Sequence, residues 1–166
     1  MSTRFLIIGG GPGGTQAAST AASLGASVTL VEKDIVGGAA HLWDCIPSKT
    51  MTATAIRIGS IRNASRLGLV ADPGKVDVRE LATRIQGISH DITTSWRGLL
   101  SSQRVQLHGG LGRFTGPHSA VVTAEDGTEQ EVEFDHALIS TGSAPRIPSW
   151  AEVDGKRILT TRHAYD

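Results

Sequence analysis

The chain has a single cysteine, Cys45, among 166 residues, so no disulfide can close within it. A lone thiol fits a reducing compartment, where structural disulfides are rare. An excess charge of either sign is missing as well, since sixteen Lys and Arg balance sixteen Asp and Glu. That excludes the basic surplus that nucleic-acid binding or an anionic-membrane anchor requires, and no nucleic-acid partner is expected. Long apolar runs are absent too. The N-terminal stretch Phe5–Ile8 meets a glycine cluster after four residues, too short for a signal segment or a membrane helix. The chain reads as soluble and cytoplasmic, without a membrane span. The six histidines follow no metal-ligand spacing, so no metal site is expected. What is present in quantity is glycine, 20 residues, where average usage is roughly 7%. With apolar residues still plentiful, that density points to tight turns and close backbone approach rather than disorder.

Phe5-Leu6-Ile7-Ile8 has the continuous apolar character of a buried parallel strand. Gly9–Gly14 interrupts it, and Thr15–Leu24 reads as a helix with a small-residue face of Ala17, Ala18, Ala21 and Ala22. Gly25 closes that helix and Val28–Val31 reads as a second strand, completing a βαβ unit. Past Cys45, Pro47 suits a first helical turn, and Met51, Ala55, Ile58 and Ile61 follow at helical spacing. After the Asp72-Pro73-Gly74 turn, Val78, Leu81, Ala82, Ile85, Ile88, Ile92, Trp96 and Leu99 form the stripe of a longer helix. Val105–Leu107 resumes the sheet. Short strands over 113–115, 119–123 and 129–134, separated by Gly116-Pro117 and Asp126-Gly127, make a β-meander. Ala137–Ser140 is a further buried strand ending at Thr141-Gly142-Ser143. The expected fold is α/β, a three-layer domain of parallel sheet, helices and meander.

Gly9-Gly10-Gly11-Pro12-Gly13-Gly14 fits the G-x-G-x-x-G pattern. Gly9 permits the turn, Gly11 lets a pyrophosphate reach the backbone, and Gly14 lets helix and strand pack closely. The phosphates then sit at the helix N-terminus, where free N–H groups and the dipole favour anions. Pro12 and Gly13 complete the loop. Alone the hexapeptide says little. Between a strand and a helix, and with Glu32 ending the second strand 18 residues beyond Gly14, it predicts a dinucleotide site with Glu32 on the ribose hydroxyls. An acid there repels a 2′-phosphate, which suits FAD or NAD rather than NADP.

The stretch Gly37-Gly38-Ala39-Ala40-His41-Leu42-Trp43-Asp44-Cys45-Ile46-Pro47-Ser48-Lys49 resembles the redox motif of the family of lipoamide dehydrogenase, glutathione reductase and mercuric reductase. That motif reads G-G-T-C, four residues, then C-I-P-S-K. Cys45 matches the second cysteine, which faces the flavin. Ala40 stands where the first, substrate-exchanging cysteine belongs, and Asp44 where glycine is usual. Thr141-Gly142-Ser143-Ala144-Pro145-Arg146 and Pro148 are similar to the family's A-T-G-S-x-P-x-x-P. The resemblance implies FAD held by Gly9, Gly11, Pro12, Gly13, Gly14, Glu32, Lys33, Gly38, Ala39, Lys49, Thr141, Gly142 and Ser143. Lys49 is implied near the flavin N5. Gly112 in Gly110-Leu111-Gly112 is implied to bring its backbone to the adenine, the alternative being a plain turn. Cys45 is either a working thiol or a small residue packed against the flavin. Trp43 is either a core aromatic or a quinone-stacking ring, and His41 is expected in a surface loop, the alternative being that it faces the acceptor.

Moving two electrons from flavin to a dithiol by exchange needs a protein disulfide, which Ala40 precludes within this chain. The Gly-Gly-Ala-Ala pattern with one remaining cysteine resembles the actinobacterial NAD(P)H:quinone reductases of lipoamide-dehydrogenase type. The reading is therefore the N-terminal FAD-binding part of an NAD(P)H dehydrogenase reducing a quinone-like acceptor. Residues 1–146 are its first FAD segment, and 147–166 lead toward an NAD(P)H domain. By the same resemblance that domain, a second FAD segment and a homodimerising C-terminal domain lie outside this sequence, and no turnover is expected from it alone. The enzymatic rivals are a dihydrolipoamide dehydrogenase and a pyridine-nucleotide transhydrogenase. A non-catalytic FAD-binding module is the rival from another class.

Overall fold

The computed structural model describes residues 2–163. They fall into two compact units, one drawn from the residues up to Ala40 and from Ile92–Ala144, the other from His41–Asp91 and from Pro145 onward.

The first unit is built on a parallel sheet of order β3-β2-β1-β7, from β1 (Arg4–Ile8), β2 (Ser27–Glu32), β3 (Gln106–Gly109) and β7 (His136–Ile139). Its strands are apolar on both faces because each face is covered. Side chains alternate across a strand. Ile7, Val28 and Leu30 accordingly pack with Ala18 of helix α1 (Pro12–Ser23) and with Leu100 of helix α4 (Val78–Ser102). Leu6, Ile8 and Val31 face the other way, onto Ala120, Val122 and Phe134. That second layer is the antiparallel meander of β4 (Leu111–Gly116), β5 (Ser119–Thr123) and β6 (Glu129–Glu133). The three-layer α/β fold read from the sequence is present. Arg4 fastens the start of β1 to the end of the meander by ion pairs to Glu133 and Asp135, and its hydrogen bond holds the Asp135 carboxyl below the ordinary carboxylate range.

Several details differ from the sequence reading. Helix α1 starts at Pro12, whose fixed φ suits a first helical residue, rather than at Thr15. Strand β3 starts at Gln106 because Val105 belongs to the cap of α4. There the Val105 N–H donates to Leu100 O and the Arg104 N–H to Ser101 O, with Arg104 at φ 60° where glycine is usual. Leu100, not Leu99, anchors that end of α4, with Leu99 43% exposed and Leu100 1%.

The second unit contains α2 (Ala39–Leu42) from His41 on, α3 (Cys45–Arg62), a short 3-10 turn at Ala64–Leu67 and the first half of α4. Helix α2 has no counterpart in the sequence pattern. The apolar row of α3 is not core, since Met51 and Ile61 are 42% and 41% exposed, and Pro47 and Thr50 are the buried residues of that helix. Further along, the Asp154 carboxylate accepts the backbone N–H groups of Lys156, Arg157 and Ile158 at 2.8–2.9 Å. Those bonds, Ile158's first, lower its pKa from 3.8 to about 2. A depressed carboxyl contributes stability that is complete above its unfolded value and is lost as pH falls through its folded one. The 154–158 turn is therefore expected to persist to about pH 2. An NMR titration of the Asp154 carboxyl with its midpoint at the ordinary value would show that the three bonds do not form in solution.

Candidate functional site

The glycine loop between β1 and α1 is dictated by backbone contacts. Gly9 lies at φ +105°, and a Cβ built there would come within 2.2 Å of the Ser140 carbonyl oxygen. A Cβ on Gly14 would lie 1.8 Å from the Gly9 carbonyl oxygen. Gly11 differs, because nothing lies within 4 Å of a Cβ placed there. Its surroundings are open beside the first turn of α1. That helix start has no side-chain cap and no acidic residue in its first turn, so its unpaired N–H groups and positive dipole end are left for an anion. The Gly37-Gly38 turn closes on the loop from the side. The Gly37 N–H donates to Gly10 O at 2.7 Å, and Gly38 sits where a Cβ would be 3.1 Å from the Gly11 Cα.

Glu32, the last residue of β2, is half-buried beside this loop. Its Oε2 accepts the Gly10 N–H at 2.6 Å and its Oε1 accepts the Asp34 N–H at 2.8 Å. A carboxylate offers about four acceptor positions, so two remain for hydroxyl donors while the backbone bonds fix its plane. The Glu32 carbonyl meanwhile accepts the Gly110 N–H at 3.0 Å, holding the turn between β3 and β4 over the strand end. Gly9, Glu32, Lys33, Gly112 and Thr141 all line one cleft of about 130 Å³ here, together with Ile8, Val31, Gly110 and Leu111.

The structure thus brings five of the sequence-predicted cofactor residues around one cleft, with Gly11 at the helix cap, Pro12, Gly13 and Gly14 in the first turn of α1 and Gly38 in the turn that closes on the loop. Gly142 and Ser143 are exposed beyond Thr141, and Ala39 opens α2. Two participants escaped sequence reading. Gly10 supplies the N–H that fixes Glu32, and Gly110 makes the turn; neither is distinguishable from its glycine neighbours without the fold.

Cys45 and Lys49 belong to the other unit, on the first turns of α3, and both are exposed. The Ser48 hydroxyl donates to the Asp44 carbonyl there. His41 corrects its expectation. It is not in a surface loop but on α2 and 7% exposed, and its carbonyl accepts the Ser89 hydroxyl at 2.8 Å. Trp43 is half-buried, with the Arg162 guanidinium 5.1 Å from its ring centroid. Among the described residues no group of three or more His, Cys, Asp or Glu is placed to hold a metal, and no helix is long and apolar enough to cross a membrane.

Comparison with known proteins follows the same lines. Residues 3–165 match the pyridine nucleotide-disulphide oxidoreductase family. An NAD(P)H dehydrogenase (quinone) from Mycobacterium tuberculosis is 37% identical over 177 aligned positions, covering 100% of this chain and 36% of that protein. The dihydrolipoyl dehydrogenase of Chlorobaculum parvum is 35% identical, covering 95% of this chain and 34% of the relative. The crystal structure of LpdA from Mycobacterium tuberculosis superposes with a TM-score of 0.88 at 35% identity, over 98% of this chain and 37% of that one. The chain spans about a third of the length of the relatives it matches.

Proposed function

Because this chain belongs to the pyridine nucleotide-disulphide oxidoreductase family, we propose that its glycine loop and cleft hold the adenosine-diphosphate part of FAD. The observation that carries this reading is the convergence of the Glu32 carboxylate, Gly9, Gly112 and Thr141 on one cleft beside an uncapped helix start. FAD fits what is present. A diphosphate needs open space at backbone N–H groups, which Gly11 provides. A ribose diol needs a fixed acceptor, which Glu32 provides. Bound FAD supplies the chemistry of accepting a hydride equivalent and passing on two electrons.

The chain's own residues bind and orient. The α1 N-terminus neutralises phosphate charge, Glu32 accepts the ribose hydroxyls, and the backbone at Gly112 borders the adenine. Thr141, Gly142 and Ser143 continue the contact, with Lys33, Gly38 and Ala39 at its margins. Cys45 and Lys49 are assigned to the flavin by their match to the C-I-P-S-K motif, Lys49 beside N5. In the whole protein, NAD(P)H is the electron source and a quinone-like molecule the acceptor. The relative named NAD(P)H dehydrogenase (quinone) supports this, as does Ala40 in place of the first thiol. The dihydrolipoyl dehydrogenases supply the second reading, which Ala40 disfavours. Homodimerisation through segments outside this chain, and a cytoplasmic location, complete the proposal.

Glu32→Ala tests the cofactor assignment. Losing charge-assisted bonds to the ribose is expected to weaken FAD binding by about 1.5–3 kcal/mol, which fluorescence of released FAD measures. Glu32→Gln should be little better, because an amide presents an N–H₂ toward one of the two backbone donors, Gly10 or Asp34. Wild-type FAD affinity in either variant removes Glu32 from the site.

A further inference from the structure

The Trp43–Arg162 pair is unused by the cofactor assignment. Trp43 lies two residues before Cys45, and the Arg162 guanidinium stacks over its indole at 5.1 Å. Both belong to the second unit. Arg162 is exposed and makes no ion pair among the described residues. Its backbone is held by a turn, with the Arg162 N–H donating to the Thr160 hydroxyl and Thr160 bonded to His163 Nδ1. The guanidinium is thus delivered to the ring by an ordered turn. A cation over an electron-rich ring, itself only half-buried, is a composite surface with two recognition elements. The indole offers a face for an electron-poor planar ring, and the guanidinium offers N–H donors and an unpaired charge for an anionic substituent on it.

We propose that Trp43 and Arg162 form an acceptor-binding platform, with Trp43 stacking a planar quinone and Arg162 selecting quinones that carry negative charge. This rests on the proposed reading of the protein as a quinone reductase and deepens it to a substrate class. Arg162 is a specificity-determining residue in this scheme, and it also fixes the Trp43 ring.

The test uses the full-length protein with NAD(P)H as donor and either neutral menadione or a naphthoquinone sulfonate as acceptor. Trp43→Ala is expected to raise KM for both quinones about tenfold with kcat changed less than twofold, and Trp43→Phe, which keeps a ring, to stay within threefold of wild type. Arg162→Ala should raise KM for the sulfonate several-fold more than for menadione, and Arg162→Lys should keep part of that discrimination. The rate of cofactor reduction by NAD(P)H, followed by stopped flow, should be unchanged in every variant that retains FAD. Added salt should erode the sulfonate preference of the wild type and leave menadione unaffected. Unchanged KM values in Trp43→Ala and Trp43→Phe overturn the platform, as does an Arg162→Ala variant with wild-type discrimination. A wild-type protein that reduces no quinone defeats the underlying reading and the platform together, whereas intact quinone turnover with insensitive variants defeats the platform alone.

Discussion

Replacing Gly14 with alanine is expected to unfold the glycine loop, while the same replacement at Gly11 leaves the fold intact. At Gly14 the new Cβ would lie 1.8 Å from the Gly9 carbonyl oxygen. Backbone of β1 and α1 must part to relieve that contact, and overpacking of this kind costs roughly 3 kcal/mol. For a chain of this size each kcal/mol lowers Tm by about 2–4 °C, so a fall of roughly 6–12 °C is expected by circular dichroism, with loss of bound FAD. At Gly11 nothing lies within 4 Å of the added methyl. Stability should stay within about 0.5 kcal/mol of wild type, as at other unconstrained positions. FAD binding should nevertheless drop, because the methyl occupies the space a diphosphate would enter. The pair separates packing from recognition. A Gly14→Ala protein as stable as wild type would mean the loop and helix are not as close as described. A Gly11→Ala protein with full FAD content would place the diphosphate elsewhere.

The second large effect concerns substrates. On the proposed quinone-reductase reading, the full-length protein is expected to turn over lipoamide and glutathione disulfide at no more than about a thousandth of its quinone rate, a barrier higher by about 4 kcal/mol, because Ala40 denies this chain the second thiol of an exchange route. Reduction by exchange needs an attacking thiol and a second one to resolve the mixed disulfide. Ala40 leaves Cys45 without that partner in this chain. Steady-state assays with each disulfide and with a quinone decide the matter, and robust disulfide turnover would reveal a thiol contributed from elsewhere. On the same reading Cys45→Ser should retain most quinone reduction, because direct transfer from reduced flavin to a quinone requires no thiol intermediate. A drop beyond about 100-fold with FAD still bound, roughly 2.7 kcal/mol of barrier, would make Cys45 catalytic.

Features set by local backbone chemistry are legible in the sequence. The glycines at 9 and 14 were legible because a left-handed turn and a close crossing of helix and strand each exclude a side chain. Glu32 was legible because its spacing follows from the length of one βαβ turn. The two-sided burial of β1 is written in its unbroken apolar run, and the meander in the Gly116-Pro117 and Asp126-Gly127 turns between its short strands. Which distant segments meet is visible only in the folded chain. The cleft takes Gly112 from β4 of the meander and Thr141 from just beyond the end of β7 in the parallel sheet, and no periodicity reports such a meeting. The bond from the Gly10 N–H to Glu32 depends on how β1 and β2 align side by side. His41 is buried rather than in a surface loop, because a short helix and a bond from Ser89 on α4 enclose it. Arg162 meets Trp43 across more than a hundred residues of chain. Local conformation is set by each residue's own sterics, whereas these contacts exist only once hydrophobic burial has brought separate segments together.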